Sequence, residues 1–215
     1  SNRHHTFFEM LGNFSFGNYF KKEAIHCAWE LLTKNFGLDP KRLWITVFRD
    51  DDDAWNIWHT QEGIPESKIM RLGEADNFWS MGDTGPCGPC SEVHYDFGKS
   101  PIPDHRDCDL TCSCGRWIEV WNLVFMQYNR DSSNALNPLP SPSIDTGMGF
   151  ERITTILQSK TSNYDTDLFQ PLLHEISGMC NTDYGTDPND DISMRIIADH
   201  ARAATFVVGD GQYPG

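Results

Sequence analysis

Ser143-Ile144-Asp145-Thr146-Gly147-Met148-Gly149-Phe150-Glu151-Arg152 is the stretch on which the reading of this chain turns. Gly147 and Gly149, in alternate positions, let the backbone come close to a ligand because no Cβ stands in the way. The residues after them read as a helix through Leu157. The free N–H groups at a helix start suit a phosphate or a carboxylate. Arg152, one turn in, can stack on a base or fork to a phosphate. The plainer reading of these residues is a strand–turn–helix corner with an exposed arginine. A short glycine motif alone does not separate the two.

Working outward, Ser91–Phe97 and Trp117–Tyr128 read as strands by their β-branched and aromatic content, and Asn134–Ser143 reads as loop. The Cys- and Pro-rich insert from Gly98 to Gly115 also reads as surface loop. Further out, Arg3–Phe16 reads as an extended strand, broken by Gly17-Asn18. Asn18 then caps a helix with Phe20, Ala24, Ala28, Leu31 and Leu32 on one face, ended by Gly37. Leu43–Phe48 is a buried strand, and Asp51–Asp53 puts negative charge at the start of a helix whose Trp55 and Trp58 share a face. Gly63 and Pro65 stop it. Two helices close the chain, over 167–179 and 192–208. Strands in the first two-thirds with helices at both ends predict an α+β fold with a largely antiparallel sheet.

A length of 215 residues is enough for a sizeable core. The formal net charge of -14, with 17 Lys and Arg spread along the chain, argues against a nucleic-acid groove on this piece alone. Apolar runs such as Ile153–Leu157 and Phe206–Val208 fall far short of a membrane span, so no membrane partner is expected. Arg3, His4, His5 and Glu9 near the start do not form a secretory signal, which predicts a cytoplasmic protein, an organellar form being left open. A first residue Ser1 in place of methionine reads as a cut start. Seven cysteines without an export signal read as reduced thiols or metal ligands.

The stretch from Ser143 does not stand alone. It resembles motif 3 of the class II aminoacyl-tRNA synthetases, and Arg3–Met10 resembles the second strand of motif 2. Arg3–Phe16 (RHHTFFEMLGNFSF), Asp76–Ser91 (DNFWSMGDTGPCGPCS), Glu119–Arg130 (EVWNLVFMQYNR) and Ile144–Arg152 (IDTGMGFER) are similar to the alanyl-tRNA synthetase family almost word for word. Asn163–Phe169 (NYDTDLF) and Arg195–Arg202 (RIIADHAR) continue the match, which covers essentially the whole chain. The resemblance implies a class II antiparallel sheet flanked by helices over residues 1–160 and the start of a helical tRNA-recognition region over 161–215. It implies an alanine–tRNA ligase that joins alanine to ATP and passes the alanyl group to tRNA(Ala), with ATP and Mg²⁺ required. The parts that meet tRNA lie largely outside this segment. Motif 1 and the motif 2 arginine do not precede Ser1, so the segment alone is expected to be inactive. The alternative reading is a non-catalytic synthetase-like module that keeps only the ligand pocket.

The resemblance also implies roles for single residues. His5 and Arg152 are the catalytic candidates. His5, Phe7, Phe8, Met10, Trp79, Val120, Trp121, Asn122, Gly149 and Arg152 would line ATP. Trp79, Asn122, Val124, Asp145 and Gly147 would line L-alanine, with Asp145 taking the ammonium. Phe7 and Phe8 leave opposite faces of a strand, so only one of them can stack on adenine. Glu119 and Asp145 are carboxylates near enough in motif space to influence the metal, with no ligand assigned. Each assignment has a plainer counterpart: Trp79 and Trp121 as core aromatics, His5 as a hydrogen-bonded structural histidine. Cys87-Gly88-Pro89-Cys90 has the CxxC spacing of redox or zinc sites, but a loop before it and a strand after it do not fit a redox site. Cys87, Cys90, Cys108, Cys112 and Cys114 could supply a zinc tetrathiolate if the insert folds back on that loop.

Overall fold

In the computed structural model, which describes residues 1–100, 105 and 108–213, the strands are β1 (Met10–Leu11), β2 (Phe14–Phe16), β3 (Leu43–Phe48), β4 (Ile69–Leu72), β5 (Phe78–Ser80), β6 (Gly85–Asp96), β7 (Trp117–Arg130) and β8 (Leu136–Gly149). The helices are α1 (Lys21–Glu30), α2 (Asp52–Asn56), α3 (Glu74–Asn77), α4 (Phe150–Leu157), α5 (Gln170–Cys180) and α6 (Pro188–Gly209). The chain divides into two compact units, Leu11–Met148 and Ser1–Met10 with Gly149–Gly215. This division differs from the expected one at residue 160, because the first ten residues are held by the C-terminal helices.

The larger unit is a mixed sheet in the order β8-β7-β6-β3-β4, with β2 paired to β8 and β5 to β6. The β3–β4 pair is parallel and the other recorded pairs are antiparallel. Leu43, Ile45, Val47, Val93, Leu123 and Phe125 are all fully buried, as strands covered by helices require. One face carries α1 and α2. Phe20 meets Phe125 edge-on at 6.1 Å, and Trp58 donates its indole N–H to Ser91 Oγ at 2.8 Å. The Asp51–Asp53 run does start a helix, and Asp51 caps it by accepting from the Ala54 amide at 3.0 Å. The same Asp51 oxygen takes Lys21 Nζ at 2.6 Å in a buried ion pair.

Several expectations shift. Arg3–Phe16 is not one strand: only Met10–Leu11 and Phe14–Phe16 are extended and paired, and residues 5–9 are held by side chains instead. The first helix begins at Lys21 rather than after Asn18, with Phe20 at its cap, and continues as one wide turn over Leu31–Asn35 before Gly37 turns left-handed at φ 69°. Asn134–Ser143 is mostly strand, because Pro138, Pro140 and Pro142 sit at alternate positions and so withhold their missing N–H groups on one side of β8 only. The CxxC lies inside β6 rather than in a loop before it. Of the insert, residues 101–104 and 106–107 lie outside the described residues.

Gly88, between those cysteines, has a stringent reason to be glycine. A Cβ there would lie 2.0 Å from the carbonyl oxygen of Phe125 and 3.0 Å from the Gln127 amide nitrogen. The β6–β7 register shifts at this point, between Cys87 and Cys90, so the backbones close up. Gly88→Ala is expected to destabilise the unit by about 1–3 kcal/mol or more through overpacking. A lowered urea midpoint with unchanged slope is the check.

Candidate active site

Strand register builds the site. Across β3, β6, β7 and β8, Thr46, Glu92, Asn122 and Gly147 are opposite one another in a row. One step along, Cys90, Val124 and Asp145 form the next row, with Phe14 of β2 opposite Asp145. Directly opposed residues share a face, as do residues two apart in one strand. Asn122, Val124, Asp145 and Gly147, four of the expected alanine residues, therefore share the face not covered by α1 and α2. Gly147 contributes no side chain and leaves the space beside Asn122 open. Trp79 is opposite Gly88 on the neighbouring β5.

This face is polar and buried, and most of its groups are satisfied. Asn77, at the end of α3 and fully buried, donates to Thr46 Oγ1 at 2.9 Å. Glu92 meets His94 Nε2 at 2.9 Å and Thr46 Oγ1 at 3.4 Å. Burial, then the Glu92 carboxylate, pushes the Cys90 thiol up to about 12, with the amides of Asn77 and Asn122 against it. A thiol so placed is a poor nucleophile, and the CxxC lies inside a strand rather than at the strand-to-helix turn of a thioredoxin-like site. Two acceptors stand apart. Asn122 Oδ1 is buried with no partner among the described residues. Burial alone holds the Asp145 carboxyl above the usual carboxylate range. Cross-strand diagonals of this kind place side chains roughly 7–8 Å apart at the backbone, close enough for both to reach one small cation.

Trp121 is one step out of phase with Asn122. It pairs with Val93 and Met148, so its side chain leaves the helix-covered face, where it is 6% exposed. Of Trp121 and Asn122, then, only Asn122 offers its side chain to the polar face. Val120 falls at the register shift beside His94 and is buried.

The Gly12–Asn13 segment braces Asp145 from the side. A Cβ on Gly12 would lie 2.3 Å from the Thr146 carbonyl oxygen. The Asn13 amide donates to Thr146 Oγ1 at 3.0 Å, the Thr146 amide donates to the Asn13 carbonyl at 3.2 Å, and Thr146 Oγ1 donates to Asn13 Oδ1.

The smaller unit holds the remaining candidates. His5 is 2% exposed at its side chain, with Nδ1 on Asp199 at 3.0 Å and Nε2 on the Asn163 amide at 2.8 Å. It stacks on Phe169 with centroids 4.7 Å apart. Burial lowers its pKa against the opposing pull of Asp199, which fits a neutral ring donating from Nδ1 and accepting at Nε2. Asp199 also accepts from Thr6 N and Oγ1. Phe7 stacks on Phe206 at 4.0 Å and lies under the Arg202 guanidinium at 5.0 Å, whereas Phe8 is 54% and Met10 60% exposed. Glu151, buried, accepts from the Glu9 amide and from Arg202 Nη2 at 2.6 Å. At Gly149 a Cβ would meet the Arg152 Cδ at 3.2 Å, so this glycine lets the arginine stem lie over the backbone.

The five cysteines expected to bind metal do not meet. Cys87 and Cys90 are buried within β6, and six residues of extended strand, roughly 20 Å, separate Cys90 from the Asp96 end where the insert begins. Cys108, Cys112 and Cys114 lie in the insert with His105.

Against known proteins, residues 1–215 match the family model of the class II (A) tRNA synthetases. The chain belongs to that family. It is 55% identical over 212 residues to an alanine–tRNA ligase of Desulfosudis oleivorans, 56% over 215 residues to that of Solibacter usitatus and 55% over 212 residues to that of Acidithiobacillus ferridurans. Each match covers 99% of this chain and 24% of the relative, so this class II synthetase chain spans about a quarter of the length of the curated relatives it matches.

Asn163, Asp199 and Arg202 of this synthetase lie in stretches that resemble the family, but no site role was expected of them. The signal was a lone Asp in an otherwise apolar helix turn, Ile196-Ile197-Ala198-Asp199, where a carboxylate 8% exposed needs donors. Asp199→Ala removes the acceptor for two Thr6 donors and His5. Exchange at the Thr6 amide in the full-length synthetase is expected to quicken by about tenfold or more, read by hydrogen-exchange mass spectrometry.

Proposed function

We propose that this chain is the alanine-activating part of an alanine–tRNA ligase, with the alanine ammonium held between Asp145 and Asn122 Oδ1. The observation that carries the reading is the Asn122 acceptor, buried without a partner among the described residues, on the same face as an Asp145 carboxyl that burial holds above the usual range. A methyl side chain offers only about 0.8 kcal/mol of burial, so charge must supply most of the affinity. An ammonium in a closed pocket needs a charged, hydrogen-bonded partner. Val124, buried beside Asp145, and Trp79 would bound the methyl group.

Nucleotide contacts are proposed for Phe8, Met10, Gly149 and Arg152. Phe8 is favoured over Phe7 for the adenine face because Phe7 already stacks on Phe206. Arg152, over Gly149, would supply a planar cation. His5 enters as a positioning residue, since both its nitrogens are bonded to protein groups. In the reaction, a carboxylate oxygen of alanine attacks the α-phosphorus of ATP in line. The new P–O bond forms as the bond to pyrophosphate breaks, giving alanyl-adenylate, from which the alanyl group passes to the 3′ end of tRNA(Ala). Positioning and charge neutralisation carry this step, with no protein nucleophile. Mg²⁺, when bound with ATP, would neutralise phosphate oxygens, and Glu92 and Glu119 offer the oxygen donors such an ion takes.

In the full-length protein, Asp145→Asn is expected to raise the alanine KM at least about 100-fold, with the ATP KM nearly unchanged. Unchanged alanine kinetics would overturn the assignment, and no alanine-dependent ATP–pyrophosphate exchange by the parent protein would favour the non-catalytic module.

The raised pKa of Asp145 gives a second check. Only the ionised carboxylate pairs with the ammonium, so alanine binding weakens as pH falls through that raised pKa, at higher pH than an ordinary aspartate would allow. A carboxyl with a raised folded pKa favours folding in its protonated form, a contribution lost as pH rises. The Asn variant therefore loses this acid limb of the alanine KM profile and unfolds at the same or a higher temperature near neutral pH.

A further inference from the structure

The connection from Asp96 to Trp117 is long for a hairpin loop, and among its described residues it has no strand and no helix beyond single turns. Its base is clamped. Arg116 forks onto Asp96 at 2.7 and 2.8 Å, and Phe97 N bonds to the Arg116 carbonyl at 3.0 Å. Above the clamp the apolar content is slight, with Leu110 and Cys114 the buried hydrophobic residues described there. A segment this size with so small a core needs a cross-link to hold one shape.

The cross-linking groups are already gathered. His105 Nδ1 is 3.1 Å from Cys112 Sγ, and Cys108 Sγ is 3.5 Å from Cys114 Sγ. The donor atoms of His105, Cys112 and Cys114 all lie within 4.8 Å of one another. In a tetrahedral zinc site with bonds of about 2.3 Å to sulfur and 2.0–2.1 Å to nitrogen, donor atoms stand roughly 3.5–3.8 Å apart. The recorded spacings come close to that figure. A disulfide, at about 2.05 Å between sulfurs, is not formed, and all the cysteines are free thiols.

We propose that His105, Cys108, Cys112 and Cys114 form a structural zinc site that folds the β6–β7 insert, and that Cys87 and Cys90 take no part in it. Three thiolates with one imidazole suit Zn²⁺ rather than the hard cations Mg²⁺ and Ca²⁺. Four protein ligands leave no open position, so the site is structural and not catalytic. Binding leaves the imidazole neutral and releases the thiol protons to solvent, with no change of oxidation state.

The test uses the full-length protein purified without chelator, with zinc measured by mass spectrometry. Cys108→Ser/Cys114→Ser is expected to carry one zinc per chain fewer than the parent, while Cys87→Ser/Cys90→Ser carries the parent amount. His105→Ala should keep the fold and bind zinc about 100-fold more weakly. Added Co²⁺ should give the absorption of a tetrahedral thiolate site in the parent and lose it in the Cys108/Cys114 variant. Equal zinc in parent and Cys108/Cys114 variant overturns the proposal. So does a loss of free thiols without reductant, which would mark Cys108 and Cys114 as a disulfide.

Discussion

The register of β6, β7 and β8 is the constraint on which the rest depends. Side chains alternate along a strand, so a slip of one residue between β7 and β8 would carry Asn122 and Val124 to the helix-covered side and bring Trp121 and Leu123 to the site. The register is held at several points by close backbone approach. Gly88 lets β6 press against Phe125, and Gly12 lets the N-terminal segment press against Thr146. On the helix side, Trp58, Ser91 and Thr46 form a buried hydrogen-bonded chain that ties helix to sheet.

The acidic groups divide by what surrounds them. Asp51, Glu151 and Asp199 are each buried against donors: Lys21 and the Ala54 amide, Arg202 and the Glu9 amide, His5 and Thr6. Breaking any of these pairs from one side would strand a charge, at a cost of about 3–5 kcal/mol. Asp145 has no such partner among the described residues, and burial works against its ionisation. A partly buried carboxylate on the same sheet face as an unbonded amide oxygen is unfavourable in the free protein and suited to a cation from outside. On the proposed reading, stability and binding are served by different members of the same residue class.

Much of the fold was legible because its signals are local. The run Leu43–Phe48, the acidic start of α2 and the helix after Gly149 depend on residues within one or two turns of each other. The misreadings came where distant residues intervene. Pro138, Pro140 and Pro142 look like loop, yet their alternation suits a strand with one unpaired side. Arg3–Phe16 has the composition of a strand, but Asp199, Glu151 and Arg202 occupy its polar groups, and only short parts pair as β structure.

The sequence by itself determined the family, the α+β class and the residue types able to hold an amino acid and a nucleotide, because long Trp-, Gly- and Cys-rich stretches do not recur by chance. Tertiary structure decided how those residues are used. It turned Trp121 away from Asn122, enclosed His5 and Phe7 among protein partners while leaving Phe8 exposed, and separated Cys90 from the cysteines of the insert. None of these could be read from the chain alone. Facing, satisfaction and reach depend on pairing register and on partners far away in sequence, which composition and spacing do not encode.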